Sequence, residues 1–364
     1  MRNTLTFSLV LLCICIILAL AHWLIYAAVV RVWGLQTSRL LPFLRIASVV
    51  LCLSFVALSV VNMQVYTVVG SWLYTASAIW LGTVLWLTIA SILAFAVFSF
   101  SPVTSKALIL LALAVSTYGV IHGKTITTQT YSVAIENLPE AWVNKKVALV
   151  ADTHLGSVRG SNFTRKVVEK INAENPDAVL IAGDFYDGPP APYEKYAAPL
   201  AGLTAPKGVF FANGNHEEFQ FSTKVYEDAV SKANVTVLSD AMTMVDGLQI
   251  VGVNYRTTND VEQATKTLAS IGINPDIPSI LIKHSPVALE AVRDAGISLQ
   301  VSGHTHRGQV WPMSLLVSRI YKQFAYGKNT IGNTTVVTTS GAGTWGPPQR
   351  IGTNSEIVII TLTR

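Results

Sequence analysis

Five of the seven histidines in this 364-residue chain occupy similar places in the sequence. Each directly follows a short apolar run and lies in a small polar cluster, as in D-x-H, G-N-H-E and G-H-T-H. The five are His154, His216, His284, His304 and His306. A single histidine in such a place is usually structural, but five placed alike indicate one shared site. Together with a further cluster, G-D-x-x-D at 183–187, they predict a metal centre.

The chemistry of these clusters narrows the kind of metal. Imidazole, carboxylate and amide oxygen without thiolate suit borderline ions such as Mn, Fe or Zn. The three cysteines lie far from the clusters along the chain, at Cys13, Cys15 and Cys52. One tetrahedral zinc ion needs about four ligands, fewer than the clusters offer. Two ions about 3.5–4 Å apart would use them all and would activate water for phosphoryl transfer, so the residue types favour a dinuclear centre.

The segments around the clusters alternate between strand and helix patterns. Apolar runs such as KVALVA and DAVLIA are typical of buried strands, and each ends in an acid. Helices are predicted at 163–175, 222–233, 260–270 and 287–295. Further strands are predicted at 235–238, 248–254, 279–283, 297–302, 309–311, 334–340 and 357–362. Because ligands bind beyond the carboxyl ends of strands in layered α/β folds, we expect the clusters to meet there.

Local spacing also favours convergence on one site. Residues two apart on an extended chain point to the same side, so both residues of D-x-H and both histidines of H-x-H can reach one ion. Gly183, Gly214 and Gly303 permit tight turns and a close approach of the backbone to a ligand.

The first third of the chain differs in composition from the rest. Only 13% of all residues are charged, compared with roughly 25% in soluble domains. Residues 1–123 contain five bases and no acid, so the formal net charge of +5 lies wholly there, and the remainder carries 21 bases against 21 acids. This balance disfavours a basic nucleic-acid-binding surface. Four apolar stretches reach the length of a membrane-spanning helix, about 20 residues: 5–30, 40–62, 71–98 and 106–121.

The pattern divides the chain into a four-helix transmembrane region at 1–123, a linker with the first strand at 124–144, and a soluble domain at 145–364. Bases beside the spans predict the orientation, because loops rich in Lys and Arg stay in the cytoplasm. One side is flanked by Arg31, Arg39, Arg45 and Lys106, and the other by Arg2 and Lys124. The soluble domain is therefore expected on the extracytoplasmic side.

In this order, the clusters D-x-H, GD-x-x-D, GNH-E, H and GHTH resemble the signature of the calcineurin-like metallophosphoesterase superfamily. The resemblance covers residues 145–363. The block GHTHRGQ and the closing TTSGAGTWGPPQRIGTNSEIVIITL are further similar to a bacterial membrane-anchored phosphohydrolase branch, which implies a multi-pass protein of a bacterial cell membrane. The implied fold is α/β, a four-layer β-sandwich of two mixed sheets flanked by helices.

The resemblance also implies a role for each residue of the site. The first metal ion would be held by Asp152, His154 and His306. The second would be held by Asn215, His284 and His304, and Asp184 would bridge both ions. His216 matches the catalytic histidine, which contacts the phosphate or assists the leaving group, and Asp187 and Glu217 would orient ligands. One departure, NSE at 354–356 where branch members often have PE, affects no ligand.

Substrate contacts are less specified by the sequence. Phosphate oxygens favour cationic donors, and the candidate contacts are Asn215, Arg307 and Arg350, with Lys283 as a further base; ordinary surface bases are the alternative interpretation. The segment WPMSLLVSRIYKQFAYG (311–327) mixes apolar and basic residues. It is either a lip that rests on the membrane, which would favour a lipid phosphoester, or ordinary packing over the edge of the site.

The function that follows is hydrolysis of a phosphomonoester, phosphodiester or pyrophosphate by a metal-bridging hydroxide. The full ligand set favours this enzyme over the alternative, a membrane sensor that retains the metal site without turnover. The spans themselves contain no acid and are interpreted as an anchor rather than a transport path.

Overall fold

The computed structural model describes residues 2–219 and 222–364, with the side chains of 12–219 and 222–364. The chain divides into two compact units. The first comprises Met1–Ile121 and Gly346–Gln349, and the second comprises His122–Trp345 and Arg350–Arg364.

The first unit contains four long helices: α1 (Arg2–Val32), α2 (Leu41–Asn62), α3 (Val68–Val97) and α4 (Pro102–His122). Each is long and apolar enough to cross a membrane. The four predicted spans are therefore confirmed as helices, and their predicted ends differ from the observed ones by a few residues.

Polar side chains within this unit bond to one another. The hydroxyl oxygens of Thr83 and Ser116 lie 2.7 Å apart. Gln349, which belongs to the short segment Gly346–Gln349, donates from Nε2 to the Ser116 hydroxyl at 2.9 Å. Because unpaired polar groups are costly in lipid, such bonds lower the cost of placing these residues among apolar helices.

The second unit is built on two six-stranded mixed sheets. The first sheet has the order β1-β12-β2-β3-β4-β5, with β1 (Ile126–Ala134), β12 (Ser355–Thr363), β2 (Lys146–Val150), β3 (Ala178–Ala182), β4 (Val209–Ala212) and β5 (Thr236–Val237). The second has the order β10-β11-β9-β8-β7-β6, with β10 (Gly327–Ile331), β11 (Thr334–Thr338), β9 (Leu299–Ser302), β8 (Ser279–Ile282), β7 (Leu248–Gly252) and β6 (Ala241–Val245). The helices are α5 (Ser161–Asn172), α6 (Tyr193–Ala197), α7 (Lys224–Ser231), α8 (Val261–Ile271), α9 (Leu289–Asp294) and α10 (Met313–Tyr321).

The main core lies between the two sheets. Leu149 and Leu180 of the first sheet pack there with Ile250 and Val301 of the second. Because successive residues of a strand point to opposite faces, their neighbours face outward. Those of the first sheet pack against α5 and α7, and those of the second against α8 and α9. The layers helix, sheet, sheet and helix confirm the predicted α/β sandwich.

Several strands of the first sheet run in the same direction and therefore end at the same edge of that sheet. β2, β3 and β4 are parallel, so they end together at Val150, Ala182 and Ala212, and we call this side of the sheet the carboxyl edge. β8 and β9 are likewise parallel in the second sheet. β12 runs antiparallel to β2, and β1 is parallel to β12, so β1 and β12 begin where β2 ends.

One predicted strand, 309–311, is wrong. Val310 forms only an isolated bridge to Ile351. The preceding Gln309 has a φ of 56°, in the left-handed region, and an extended strand cannot continue through it. Two strands, β6 and β10, and two helices, α6 and α10, were not anticipated from the sequence.

Candidate metal centre

Each group of candidate ligands lies two or three residues beyond a strand end. Asp152, Asp184 and Asn215 follow β2, β3 and β4 at the carboxyl edge, whereas His284 and His304 follow β8 and β9. The two packed sheets therefore supply ligands from facing strand ends, as expected for layered α/β folds.

The backbone is unusual at the candidate ligands. Asp152, His154, Asp184, His304 and His306 all have positive φ, between 47° and 70°. Residues other than glycine rarely adopt this region, at a cost of about 1–3 kcal/mol each, and they persist where the surroundings demand them. Their concentration here indicates that side-chain direction at this site outweighs local backbone preference.

Glycines allow these loops to approach each other. A Cβ atom on Gly183 would lie 2.7 Å from His284 Nδ1 and from the Gly214 backbone. A Cβ on Gly214 would overlap Asp184 Oδ1, and one on Gly303 would overlap Asp152 Oδ2. The predicted need for glycine at these positions therefore has a direct steric cause.

The first ligand group consists of Asp152, His154 and His306, whose ligand atoms all lie within 4.8 Å of one another. The Nε2 atoms of the two histidines are 3.0 Å apart, and His306 Nε2 lies 3.5 Å from Asp152 Oδ1. The backbone N–H of His304 donates to both Asp152 carboxylate oxygens at 3.0 Å and fixes the orientation of the carboxylate.

The second group contains His284, His304 and Asn215. Asn215 Oδ1 lies 3.1 Å from His284 Nε2 and 2.8 Å from His304 Nδ1. The two imidazole nitrogens are themselves 3.2 Å apart. Three lone-pair donors thus point at one small volume.

Asp184 lies between the two groups. Its Oδ2 is 3.1 Å from His284 Nε2, 3.8 Å from His154 Nε2 and 3.9 Å from His216 Nε2. Its other oxygen, Oδ1, accepts a hydrogen bond from the backbone N–H of His216 at 2.9 Å. The carboxylate therefore faces ligands of both groups at once.

These residues fit divalent cations. Asp152 and Asp184 are buried, and among the described residues every ion-pair partner of their carboxylates is a histidine. Buried charges need a partner, and imidazole, carboxylate and amide oxygens are ligands of Mn, Fe and Zn. The donor set is therefore suited to divalent metal ions.

Proton affinities differ sharply across the two groups. Burial lowers the pKa of His304 to about 3, with the neighbouring His284 adding to the effect. Burial opposes charge on His284 too, but the adjacent Asp184 raises its pKa to about 9. Although burial disfavours its ionised form, Asp184 has a pKa held well below the usual value by His284 and His216. Metal binding requires neutral imidazoles, so an ion bound at His284 would displace a proton from it.

Glu217 holds two ligand loops in place. It is fully buried, and its carboxylate accepts backbone N–H groups of Asp184 at 2.9 Å, Tyr186 at 2.9 Å and Gly214 at 2.8 Å. Burial, together with the charge of Asp184, raises the pKa of Glu217 to about 7. The side chain acts on the ligands through the backbone.

Asp187 orients two histidines. Its Oδ1 lies 3.2 Å from His154 Nδ1, and its backbone carbonyl oxygen lies 2.9 Å from His216 Nδ1. Because each Nδ1 has a hydrogen-bond acceptor beside it, a proton on Nδ1 is favoured in both His154 and His216. The Nε2 atom of each ring then faces Asp184. His284 is arranged in the same way, with Nδ1 2.8 Å from the Ala182 carbonyl oxygen.

The three basic candidates occupy different environments. Arg350 is fully buried, and its Nη1 and Nη2 donate to backbone carbonyls of His306 at 2.8 Å and Gly343 at 2.7 Å, and also to Ser340. These bonds favour a positioning role for Arg350 rather than the substrate contact expected from the sequence. Lys283 is buried with Nζ bonded to the Ser285 carbonyl, and burial lowers its pKa to about 7.

Arg307 is exposed and lies next to the candidate ligand His306. Its guanidinium lies 4.2 Å from the centre of the Tyr326 ring. This cation–π contact holds the charge near the site while leaving it open to solvent. Among the predicted bases, Arg307 is thus the accessible one.

Four aromatic side chains lie near the candidate ligands, and of these only Tyr321, in the segment 311–327, belongs to a region that the sequence placed at the edge of the site. Tyr255 and Tyr321 lie 5.5 and 6.1 Å from the ring of His304, and Phe219 and Trp345 lie 4.7 and 6.1 Å from that of His216. Phe219 follows the G-N-H-E cluster by only two residues, and this proximity was the available signal.

Comparisons with known proteins agree with this geometry. Residues 145–308 match the family model described as calcineurin-like phosphoesterase. The chain is 32% identical over 248 residues to an uncharacterized metallophosphoesterase of Campylobacter jejuni, covering 67% of this chain and 66% of that one. Over 226 residues it is 30% identical to an uncharacterized metallophosphoesterase of Helicobacter pylori, covering 60% and 59%.

Another similar protein is named as a transmembrane protein. The chain is 29% identical over 248 residues to a transmembrane protein with metallophosphoesterase domain of Danio rerio, covering 63% of this chain and 56% of that one. The chain thus spans 56–66% of the length of these three relatives.

Proposed function

Because the chain belongs to the calcineurin-like metallophosphoesterase family, we propose that it is a membrane-anchored, metal-dependent phosphohydrolase. The observation that carries the proposal is that the Asp184 carboxylate faces a histidine of each ligand group, His154 at 3.8 Å and His284 at 3.1 Å. The substrate is a phosphomonoester, phosphodiester or pyrophosphate.

Two divalent ions, Mn, Fe or Zn, are the proposed cofactors. One would be held by Asp152, His154 and His306, the other by Asn215, His284 and His304, and Asp184 would contact both. When bound, such a pair supplies a nucleophile from water and stabilises the negative charge of the phosphoryl oxygens.

His216 is the proposed catalytic residue at the leaving oxygen. Its Nδ1 lies 2.9 Å from the Asp187 carbonyl oxygen, which supports an outward Nε2 on the side of Asp184. Burial opposes a charge on His216, but the carboxylates of Asp184 and Asp187 raise its pKa and favour a proton on both ring nitrogens. In that form, Nε2–H can donate a hydrogen bond to a phosphate oxygen, or a proton to the departing alcohol.

The remaining residues bind or position. Asn215 directs Oδ1 to the histidines, and its amide N–H groups can donate to a phosphate oxygen. Arg307 supplies an exposed positive charge next to His306. Arg350 holds the His306 carbonyl at 2.8 Å and thereby fixes the loop that carries this ligand.

Removal of the metal should abolish hydrolysis. We expect the full-length protein in nanodiscs to lose at least about 95% of its activity on bis(p-nitrophenyl) phosphate and p-nitrophenyl phosphate after chelation, because water alone is a poor nucleophile at neutral pH. Adding back Mn, Fe or Zn singly should restore turnover, measured as nitrophenolate release. Mg and Ca serve as controls, since the imidazole-rich site disfavours them.

The same assay separates a hydrolase from a sensor. Metal binding without turnover on any phosphoester or pyrophosphate would identify a binding protein and contradict the proposed function. Activity that survives complete metal removal would contradict the proposed cofactors.

The orientation of the chain is a separate proposal. The distribution of bases supports an extracytoplasmic soluble domain, so alkaline phosphatase fused after Arg364 should be active, and green fluorescent protein fused there should be dark. As a control, the same reporters fused after Gln36, between α1 and α2, should give the opposite result. Fluorescence at Arg364 would show a cytoplasmic domain instead.

A further inference from the structure

An apolar patch borders the candidate metal centre. Its members are exposed, with 49–64% of each residue accessible, and we call them the apolar rim: Phe219, Trp311, Leu315, Leu316, Ile320 and Trp345. Single exposed apolar residues are ordinary, whereas several gathered around one site mark a surface that binds a partner, a ligand or a membrane.

The rim lies beside His216 and close to the second ligand group. The Phe219 ring lies 4.7 Å and the Trp345 ring 6.1 Å from that of His216. Tyr321, which follows the rim residue Ile320 at the end of α10, lies 6.1 Å from the ring of His304. Exposed apolar side chains therefore lie beside the candidate ligands.

The helix that supplies half of the rim is unusually exposed for an apolar helix. None of the nine residues of α10 is buried, although Leu315, Leu316 and Ile320 lie on it. The surrounding segment 311–327 contains Arg319 and Lys322, both exposed, and no acid. Apolar side chains beside bases without acids complement a membrane surface, in which anionic head groups overlie acyl chains.

The path of the chain gives an independent argument. The last candidate span, α4, ends at His122, and β1 begins at Ile126, three residues of linker later. Because β1 is parallel to β12 and β12 is antiparallel to β2, Ile126 lies at the carboxyl edge. Asp152 and Asp184 lie just beyond the same edge. The domain is thus tethered to the last span at the edge that carries the ligands.

We propose that the apolar rim contacts the bilayer and that the substrate is a phosphoester of a membrane lipid, a substrate class that rests on the proposed function. The head group reaches the ligands while its acyl chains stay among lipids and rim residues. Water supplies the oxygen of the new P–O bond, the P–O bond to the esterified alcohol breaks, and that alcohol departs with a proton. No lipid has to leave the membrane.

The kinetic test compares two substrates in one sample. The full-length protein in nanodiscs of bacterial polar lipids with added phosphatidic acid is assayed for lipid turnover by mass spectrometry and for bis(p-nitrophenyl) phosphate turnover by absorbance. Leu316→Glu and Ile320→Glu should lower lipid turnover at least tenfold and change soluble-ester turnover less than twofold. Val261→Glu, an exposed apolar residue in the first turn of α8, is the matched control and should change neither.

The outcomes separate this inference from the proposed function. Soluble-ester turnover without turnover of any lipid, or rim variants that cleave lipid as fast as the wild type, would overturn the lipid assignment and leave the hydrolase standing. Failure of the wild type on soluble ester and lipid alike would contradict the proposed function.

A second measurement tests membrane contact without any turnover. Spin labels are placed by Leu316→Cys or Val261→Cys in a background with Cys13, Cys15 and Cys52 replaced by alanine. The Leu316 label should be relaxed by oxygen and shielded from a water-soluble nickel chelate, whereas the Val261 label should show the reverse. An aqueous Leu316 label would overturn the rim's contact with the bilayer, whatever the activity.

Discussion

Replacing Asp184 with asparagine should lower kcat/KM for bis(p-nitrophenyl) phosphate by at least about a thousandfold, equivalent to about 4 kcal/mol of transition-state stabilisation. The carboxylate faces histidines of both ligand groups, with Oδ2 3.1 Å from His284 and 3.8 Å from His154. Asparagine keeps the shape and the acceptor for the His216 N–H but removes the charge. We therefore expect metal content, measured by mass spectrometry, to fall together with activity while the thermal unfolding transition persists.

The matched control is Asp228→Asn on the exposed face of α7. Asp228 is paired with Lys224 at 2.9 Å, and this solvent-exposed pair contributes little to stability. That variant should keep both metal and activity. Near-normal turnover by Asp184→Asn would contradict the assignment of Asp184 as the shared ligand.

Replacing His216 with alanine should lower kcat about 100- to 10,000-fold, the range typical of a lost general acid. Since metal is assigned to other side chains, we expect the metal content of this variant to stay within twofold of the wild type. The loss should be larger for an ester of an alkyl alcohol than for a nitrophenyl ester, because nitrophenolate needs little protonation to depart. Rates across a series of leaving groups measure this difference.

The control for this variant is another histidine outside the ligand groups. His122 lies at the end of α4, with Nε2 3.0 Å from Asn354 Oδ1. His122→Ala should leave kcat and the leaving-group dependence unchanged. An equal loss by His216→Ala for good and poor leaving groups would favour a contact with the phosphate over proton donation.

Much of the candidate site could be predicted from the sequence because its ligands follow apolar runs. A buried strand requires several consecutive apolar residues, so the polar residue at its end is conspicuous, as at Asp152 and Asp184. The membrane-spanning helices could be predicted equally well, because the thickness of the bilayer sets a minimum length for an apolar helix that crosses it. Both signals are local in the chain.

Non-local features were not accessible in this way. The pairing of β1 with β12 joins opposite ends of the soluble domain, and no local pattern specifies it. Arg350 was expected at the substrate, because its sequence context does not reveal that carbonyls of His306 and Gly343 converge on its guanidinium. Likewise, the exposure of α10 depends on which elements of the fold pack beside it, and the spacing of apolar residues in its own sequence does not show this.

The hydrogen bonds of Glu217 bear on whether the candidate site forms before or after a metal ion binds. Its carboxylate ties the loops after β3 and β4 together through N–H groups of Asp184, Tyr186 and Gly214, using only groups of the polypeptide. These two loops can therefore adopt their arrangement when the chain folds, before any metal ion binds. We therefore expect metal to bind after these loops have formed, so that the ion taken up would reflect the supply in the compartment where the soluble domain resides.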